Sequence, residues 1–179
     1  MPKAPSELTI YIAGSFKHLH GVRLLGAELA KAGCRILDWT AKASPPPGLN
    51  AVQRREWMDT DMDGGQVYSF CKNACLTADL LVYYGASGQD AGVEVGMAAS
   101  LGTPILGIRG PLESPGLMLH GAVSVWTDDA TQVAPIVREL CELKSGNWEN
   151  LDPHSSRPAH LLGRLIKSRL AETGVPESG

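Results

Sequence analysis

No run in this chain approaches the ~18 apolar residues that a membrane-spanning helix requires. The opening residues, Met1-Pro2-Lys3-Ala4-Pro5-Ser6-Glu7, contain no apolar stretch of signal-peptide type. Both absences give the expectation of a cytoplasmic protein with no membrane partner. An excess of basic charge is also missing: 16 Lys and Arg stand against 19 Asp and Glu, a net charge of −3. With a pI near 5.9, no nucleic-acid partner is expected. Cysteine is sparse, and without an export signal Cys34, Cys71, Cys75 and Cys141 are expected as reduced thiols. A glycine-rich dinucleotide fingerprint and a Walker lysine are both absent after the first apolar run, which speaks against nicotinamide and ATP chemistry. No G-x-S-x-G elbow is present, which disfavours an α/β-hydrolase. Cys71 and Cys75 are four apart and can share a helix face, but two thiolates do not make a closed zinc site. Buried apolar cysteines are the expected account of them. Neither a metal nor a cofactor is therefore expected. There is no internal repeat, and no low-complexity tract beyond Pro45-Pro46-Pro47.

What is present is an alternation of short apolar runs with helical patterns. Leu8 to Ala13 reads as a first strand ending at the turn Gly14-Ser15. A helix pattern through Val22, Leu24, Leu25, Ala27, Leu29 and Ala30 stops at Gly33. Cys34 to Trp39 reads as a second strand, and Pro45 to Gly48 as a break. Gly64-Gly65 divides the next stretch into two helical pieces, the second from Gln66 to Thr77. Leu80 to Tyr84 and Pro104 to Ile108 read as buried strands with a short helix between them. Val123 to Trp126 is a last strand, followed by a helix from Thr131 to about Leu143. Such an alternation predicts a Rossmann-like (flavodoxin-like) α/β fold, a parallel sheet of about five strands with helices on both faces. The domain is expected over 1-146. Residues 147-179 read as a C-terminal tail with one amphipathic helix, His160 to Ala171, bearing Leu161, Leu162, Leu165, Ile166 and Leu170. Docking of that helix on its own domain or on a partner subunit is the expectation. It is short for membrane-surface binding.

The segment Gln89-Asp90-Ala91-Gly92-Val93-Glu94-Val95-Gly96-Met97-Ala98 lies between two buried strands. Glu94 is expected in the first turn of a helix at a strand's carboxyl end, where open parallel sheets bind ligands. Val93 and Val95 flank it, and a glycine stands two residues to either side, suited to close approach of something small. A plain helix-start glutamate stabilised by the macrodipole is the other reading. His18 and His20, with Lys17 and Arg23, are either exposed polar residues or part of a ligand-facing loop. Asp59, Asp61 and Asp63 share no helix face and read as a solvated loop.

Four segments together resemble the nucleoside 2-deoxyribosyltransferase family and its relatives, the 2′-deoxynucleoside 5′-phosphate N-hydrolases. They are Ile10-Tyr11-Ile12-Ala13-Gly14-Ser15-Phe16, Ala78-Asp79-Leu80-Leu81-Val82, Gly92-Val93-Glu94-Val95-Gly96-Met97-Ala98 and Gly116-Leu117-Met118-Leu119-His120-Gly121-Ala122. The resemblance implies cleavage or transfer of the N-glycosidic bond of a (deoxy)nucleoside through a covalent glycosyl-enzyme intermediate. It implies Glu94 as nucleophile, Tyr11 as the hydroxyl that holds it, and Asp90 as the acid beside the departing base. The implied substrate-binding residues are Ala13, Gly14, Ser15, Phe16, Ser87, Gly92, Gly116 and Met118. It further implies a homodimer or higher homo-oligomer in which the segment around Met118 completes a neighbour's pocket. Alternatives on the same fold are a (deoxy)nucleoside 5′-monophosphate N-glycosidase and a non-catalytic nucleotide-binding module.

This sequence departs from the family pattern at three places. Relatives commonly carry an aspartate where Cys71 stands. The acidic residue ahead of the motif usually lies farther from the glutamate than Asp90 does. Serines that hold a 5′-phosphate in the nucleotide hydrolases correspond to Gly88 and Gly116, with Ser87 one residue out of register. An unphosphorylated nucleoside is therefore the expected substrate.

Overall fold

A computed structural model describes residues 8–42, 46–59, 64–145 and 156–172. The apolar runs become strands of one parallel sheet: β1 (Thr9–Ala13), β2 (Arg35–Leu37), β3 (Leu80–Tyr84), β4 (Ile105–Ile108) and β5 (Val125–Thr127). Their order is β2-β1-β3-β4-β5, with every neighbouring pair parallel. This is the flavodoxin-like winding expected from the alternation. Burial follows position. β1, β3 and β4 are buried almost throughout, whereas the edge strands β2 and β5 are partly exposed. Strands covered on both faces read as continuous apolar runs, and for that reason the three central ones were the clearest in the sequence.

The helices are α1 (Leu19–Lys31), α2 (Ala51–Asp59), α3 (Gly64–Thr77), α4 (Gln89–Ser100), α5 (Leu117–Ala122), α6 (Val133–Ser145) and α7 (Arg157–Glu172). α1 buries Val22, Leu25 and Leu29, and Gly33 closes it at φ 89°. α6 buries Val133, Ile136, Val137 and Leu140, one stripe of a 3.6-residue period. α1 packs against α6, while α3 packs on α4 and α4 on α5. α7 packs on α6 and adds Ala159, Leu162 and Ile166 to the same core as the sheet. Ser156 fixes its entry: its N–H donates to Glu139 Oε2 of α6 (2.7 Å), and its Oγ accepts from the N–H of Ala159.

Several boundaries differ from expectation for local reasons. β2 stops at Leu37, because Asp38 turns the chain into a 3₁₀ turn by accepting from the N–H of Thr40, and the Trp39 indole N–H donates to Ile12 O. Gly64 and Gly65 open α3 instead of dividing it from a neighbour. The solvated loop expected at Asp61 and Asp63 lies outside the described residues. The last strand begins at Val125, and a 3₁₀ turn at 130–132 precedes α6. On α7 the apolar stripe is only partly inward: Leu161 and Leu165 are exposed, while Leu162 and Ile166 are buried. The expected Leu170 side chain lies outside the described set.

Candidate active site

Strand order reverses between β1 and β3, since β1 is followed in the chain by β2 on one side while β3 continues on the other. The crevice at the carboxyl ends of these two strands is the topological switch point of the sheet. Three loops converge there: 14–18 after β1, 85–88 after β3 and 109–116 after β4.

Tyr11 is fully buried on β1, and its hydroxyl donates to Glu94 Oε1 at 2.5 Å. Glu94 is not in the first turn of α4 as expected. That helix starts at Gln89, which puts Asp90 in the first turn and Glu94 in the second. The macrodipole fades within the first turn, so it contributes little to Glu94. Burial governs instead. The second oxygen, Glu94 Oε2, is buried and accepts no hydrogen bond from the described residues. Desolvation pushes the Glu94 carboxyl up to about 7; the Tyr11 hydrogen bond opposes this and the charge of Asp90, one turn earlier on the same face, adds to it. Tyr11 is held firmly neutral, by burial first and then by the adjacent carboxylate. Cys71 of α3 brings its thiol against both groups, and burial pushes that thiol up to about 11, so it is an S–H at neutral pH. Cys75, fully buried one turn on, is pushed up to about 12 by burial. The carboxylate therefore sits beside two neutral groups, the Tyr11 hydroxyl that donates to it and the Cys71 thiol.

The loops around it are tied by a single hydrogen-bonded chain. The Glu113 carboxylate accepts from the Tyr83 hydroxyl (2.6 Å) and from the N–H of Gly110 (2.7 Å). The Tyr83 oxygen accepts from the N–H of Ser87 (3.2 Å), and Ser87 Oγ accepts from the N–H of Ser15 (3.1 Å) while donating to Tyr84 O. All three loops at the switch point are joined in this way. They also touch through backbone: a Cβ on Gly110 would meet the Ala86 nitrogen at 2.5 Å, and one on Gly85 would meet Ile108 O at 2.6 Å. Glycine is required at both positions by that close approach. No sequence motif marks Tyr83 and Glu113 as partners. They are thirty residues apart, and neither shows its role locally.

The remaining expected residues are placed as follows. Ala13 is the buried end of β1, and a Cβ on Gly14 would meet Val22 at 2.9 Å. Ser15 Oγ is buried with no partner among the described residues. Phe16 is half exposed and rests edge-on against Trp39, with centroids 5.2 Å apart. Gly92 stands two residues before Glu94 on α4, where a Cβ would meet nothing within 4 Å. Gly116 precedes α5, on which Leu117 and Met118 are 92% and 88% exposed. His18 packs against Tyr84 and its Nε2 lies 2.9 Å from Ala86 O. Lys17 and His20 are exposed, and Arg23 turns away to Thr40. An apolar groove of about 300 Å³ between α1 and β2 includes neither Tyr11 nor Glu94. No group of His, Cys, Asp and Glu able to hold a metal occurs among the described residues.

The sequence matches no family model and no curated protein. Solved structures do match. One is a 2-deoxyribosyltransferase from the psychrotolerant bacterium Bacillus psychrosaccharolyticus, at 18% identity and a TM-score of 0.51, covering 70% of this chain and 90% of that one. Another is a conserved protein from Enterococcus faecalis V583, at 13% identity and a TM-score of 0.56, covering 75% and 99%. A CMP N-glycosidase from Clostridium botulinum matches at 13% identity and a TM-score of 0.45, covering 71% and 96%. This chain has the fold of a 2-deoxyribosyltransferase. At these identities the likeness is one of fold, and it extends over nearly the whole of the first two proteins. α7 and the residues before it come after the elements of the sheet, in a chain longer than the portion matched.

Proposed function

We propose that this protein cleaves or transfers the N-glycosidic bond of a (deoxy)nucleoside, with Glu94 as the nucleophile. The observation that carries this reading is the Tyr11–Glu94 pair at the switch point, with one carboxylate oxygen held and the other, Oε2, buried without a partner. An oxygen so placed is poorly solvated and directed by its neighbour, as attack on a sugar carbon requires. Its lone pair forms a bond to the anomeric carbon as the carbon–nitrogen bond breaks, and the base leaves with the bonding pair and takes up a proton. That proton comes from solvent, and Asp90, one turn away on the solvent side, is the group assigned to pass it: its carboxylate takes up a proton from water and gives it to the departing base. Water or a second base then attacks the same carbon and releases Glu94. The name of the Bacillus psychrosaccharolyticus neighbour supports the transfer branch. Ser87 Oγ is engaged by Ser15 and Tyr84, leaving it unsuited to hold a phosphate and favouring an unphosphorylated substrate. Chromatography of nucleosides and nucleotides incubated with the protein, with and without added free base, tests the proposal. Release or exchange of base from a nucleoside is expected; an inert panel would overturn it.

The pH dependence has a defined sign. Glu94 must be ionised to attack, and its pKa is raised from 4.5 to about 7, so activity should rise with pH through about 7. Tyr11→Phe removes the hydrogen bond that lowers this pKa. It should move the acid limb to higher pH and lower kcat by about 10²-fold, measured as kcat against pH. An unchanged limb would deny Tyr11 its role. Stability runs the other way. The folded state binds this proton more tightly than the unfolded chain, so the Glu94 contribution falls as pH rises from 4.5 to about 7.

The same reading includes a homo-oligomer. Leu117 and Met118 on α5 and Val93 on α4 are large apolar side chains left exposed, and the two helices pack on each other; grouped exposed apolar side chains mark interfaces. Sedimentation at micromolar concentration is expected to give a dimer or larger. Met118→Asp should shift it to monomer and reduce activity together, because the patch completes a neighbour's pocket in this proposal. An active monomer would rule that out.

A further inference from the structure

Cys34 and Cys141 lie outside the active-site crevice, and their sulfurs are 3.4 Å apart across 107 residues of sequence. Cys34 stands in the turn between α1 and β2, 4% exposed, where Gly33 at φ 89° directs it inward. Cys141 is partly buried on α6, the helix that packs against α1. Both are reduced. A disulfide requires sulfurs about 2.05 Å apart. The gap is therefore of the size that side-chain rotation closes, on a turn and a helix already packed on the same core.

We propose that Cys34 and Cys141 are an oxidation site, which peroxide converts to an intramolecular disulfide. Cys141 is the more accessible sulfur and reacts first. Its sulfur bonds to one peroxide oxygen, the O–O bond breaks, and the product is a sulfenic acid and one water. Cys34 sulfur then attacks Cys141 sulfur. The S–S bond forms, the S–O bond breaks, and the hydroxyl leaves with the Cys34 proton as a second water. Two thiols and one peroxide give one disulfide and two waters; the sulfurs lose the two electrons that the peroxide oxygens gain. The resulting link closes a loop that contains β2 to β5 and the whole of α4. A loop of that length restricts the unfolded chain far more than the folded one.

The test uses the full chain treated with hydrogen peroxide, alkylated and measured by intact mass and peptide mapping. The expected product is a monomer lighter by two hydrogen masses with Cys34 joined to Cys141. Its Tm should be higher by roughly 5–10 °C and return to the starting value after dithiothreitol. Cys141→Ser, at a partly exposed position, should fold and show neither the link nor the rise; Cys34→Ser should behave alike. The proposal is overturned if both thiols stay alkylatable in the folded oxidised protein. It is equally overturned if the link joins other cysteines, or forms only between two chains.

Discussion

Glu94→Gln is expected to abolish turnover while leaving the fold in place. Gln keeps an oxygen that accepts from the Tyr11 hydroxyl, so the 2.5 Å contact on β1 retains a partner. It also removes a carboxylate whose burial is unfavourable enough to raise its pKa to about 7. Stability at neutral pH should therefore change little or improve, since a desolvated charge has gone. Activity should fall by roughly 10³-fold or more, because an amide oxygen cannot form and release a glycosyl ester. Two measurements separate these effects: Tm by calorimetry and base release by chromatography. A wild-type sample quenched during turnover should carry the sugar on the peptide containing Glu94, and the variant should carry none. A variant folded and still close to wild-type rate would mean that another group attacks the sugar. Glu94→Ala is the weaker experiment, since it leaves the buried Tyr11 hydroxyl without an acceptor and adds a stability cost of ~1–3 kcal/mol.

The parts of this molecule that were readable in the sequence are those with local causes. Leu80 to Tyr84 and Pro104 to Ile108 are continuous apolar runs because both faces of a central parallel strand are covered. Val133, Ile136, Val137 and Leu140 announce α6 by their spacing. Edge strands carry no such signature: Arg35–Leu37 and Val125–Thr127 are short and half exposed, and their limits differ from the Cys34 to Trp39 and Val123 to Trp126 that the apolar runs suggest. The start of α4 at Gln89 was hidden for a different reason. Gly88 caps it without a side-chain acceptor, so no Ser, Thr, Asp or Asn marks the helix start, and the sequence alone places Glu94 one turn too early. The carboxylate's environment was not local at all. Tyr11, Cys71 and Glu94 come from three different elements, and the Glu113–Tyr83–Ser87–Ser15 chain joins three loops that only the winding of the sheet brings together. The resemblance of short motifs directed attention to Tyr11 and Glu94; the pKa of the glutamate depends on burial, which no motif encodes.

A chain ending at residue 145 is expected to be unfolded or insoluble, although composition alone made the following segment look like an appendage. α7 supplies Ala159, Leu162 and Ile166, each at most 1% exposed, to the core that also contains the sheet. Burial of the leucine and isoleucine alone is worth about 3–6 kcal/mol, comparable to the entire ~5–15 kcal/mol that separates a folded domain from its unfolded chain. The surface uncovered on α6 adds to the loss. So does Arg169, whose guanidinium donates to the carbonyls of Ala78 (Nη1, 2.5 Å) and Leu76 (Nη2, 3.4 Å) and ties the end of α3 to α7. Single substitutions grade the effect. Leu162→Ala should cost about 2–5 kcal/mol, read from urea unfolding. Leu161→Ala, one residue away but 40% exposed, should cost well under half as much. Equal costs at the two positions would mean that α7 is not packed on α6 as described. A truncated chain that stays folded with an unchanged midpoint would show that the sheet and α1 to α6 are stable without α7.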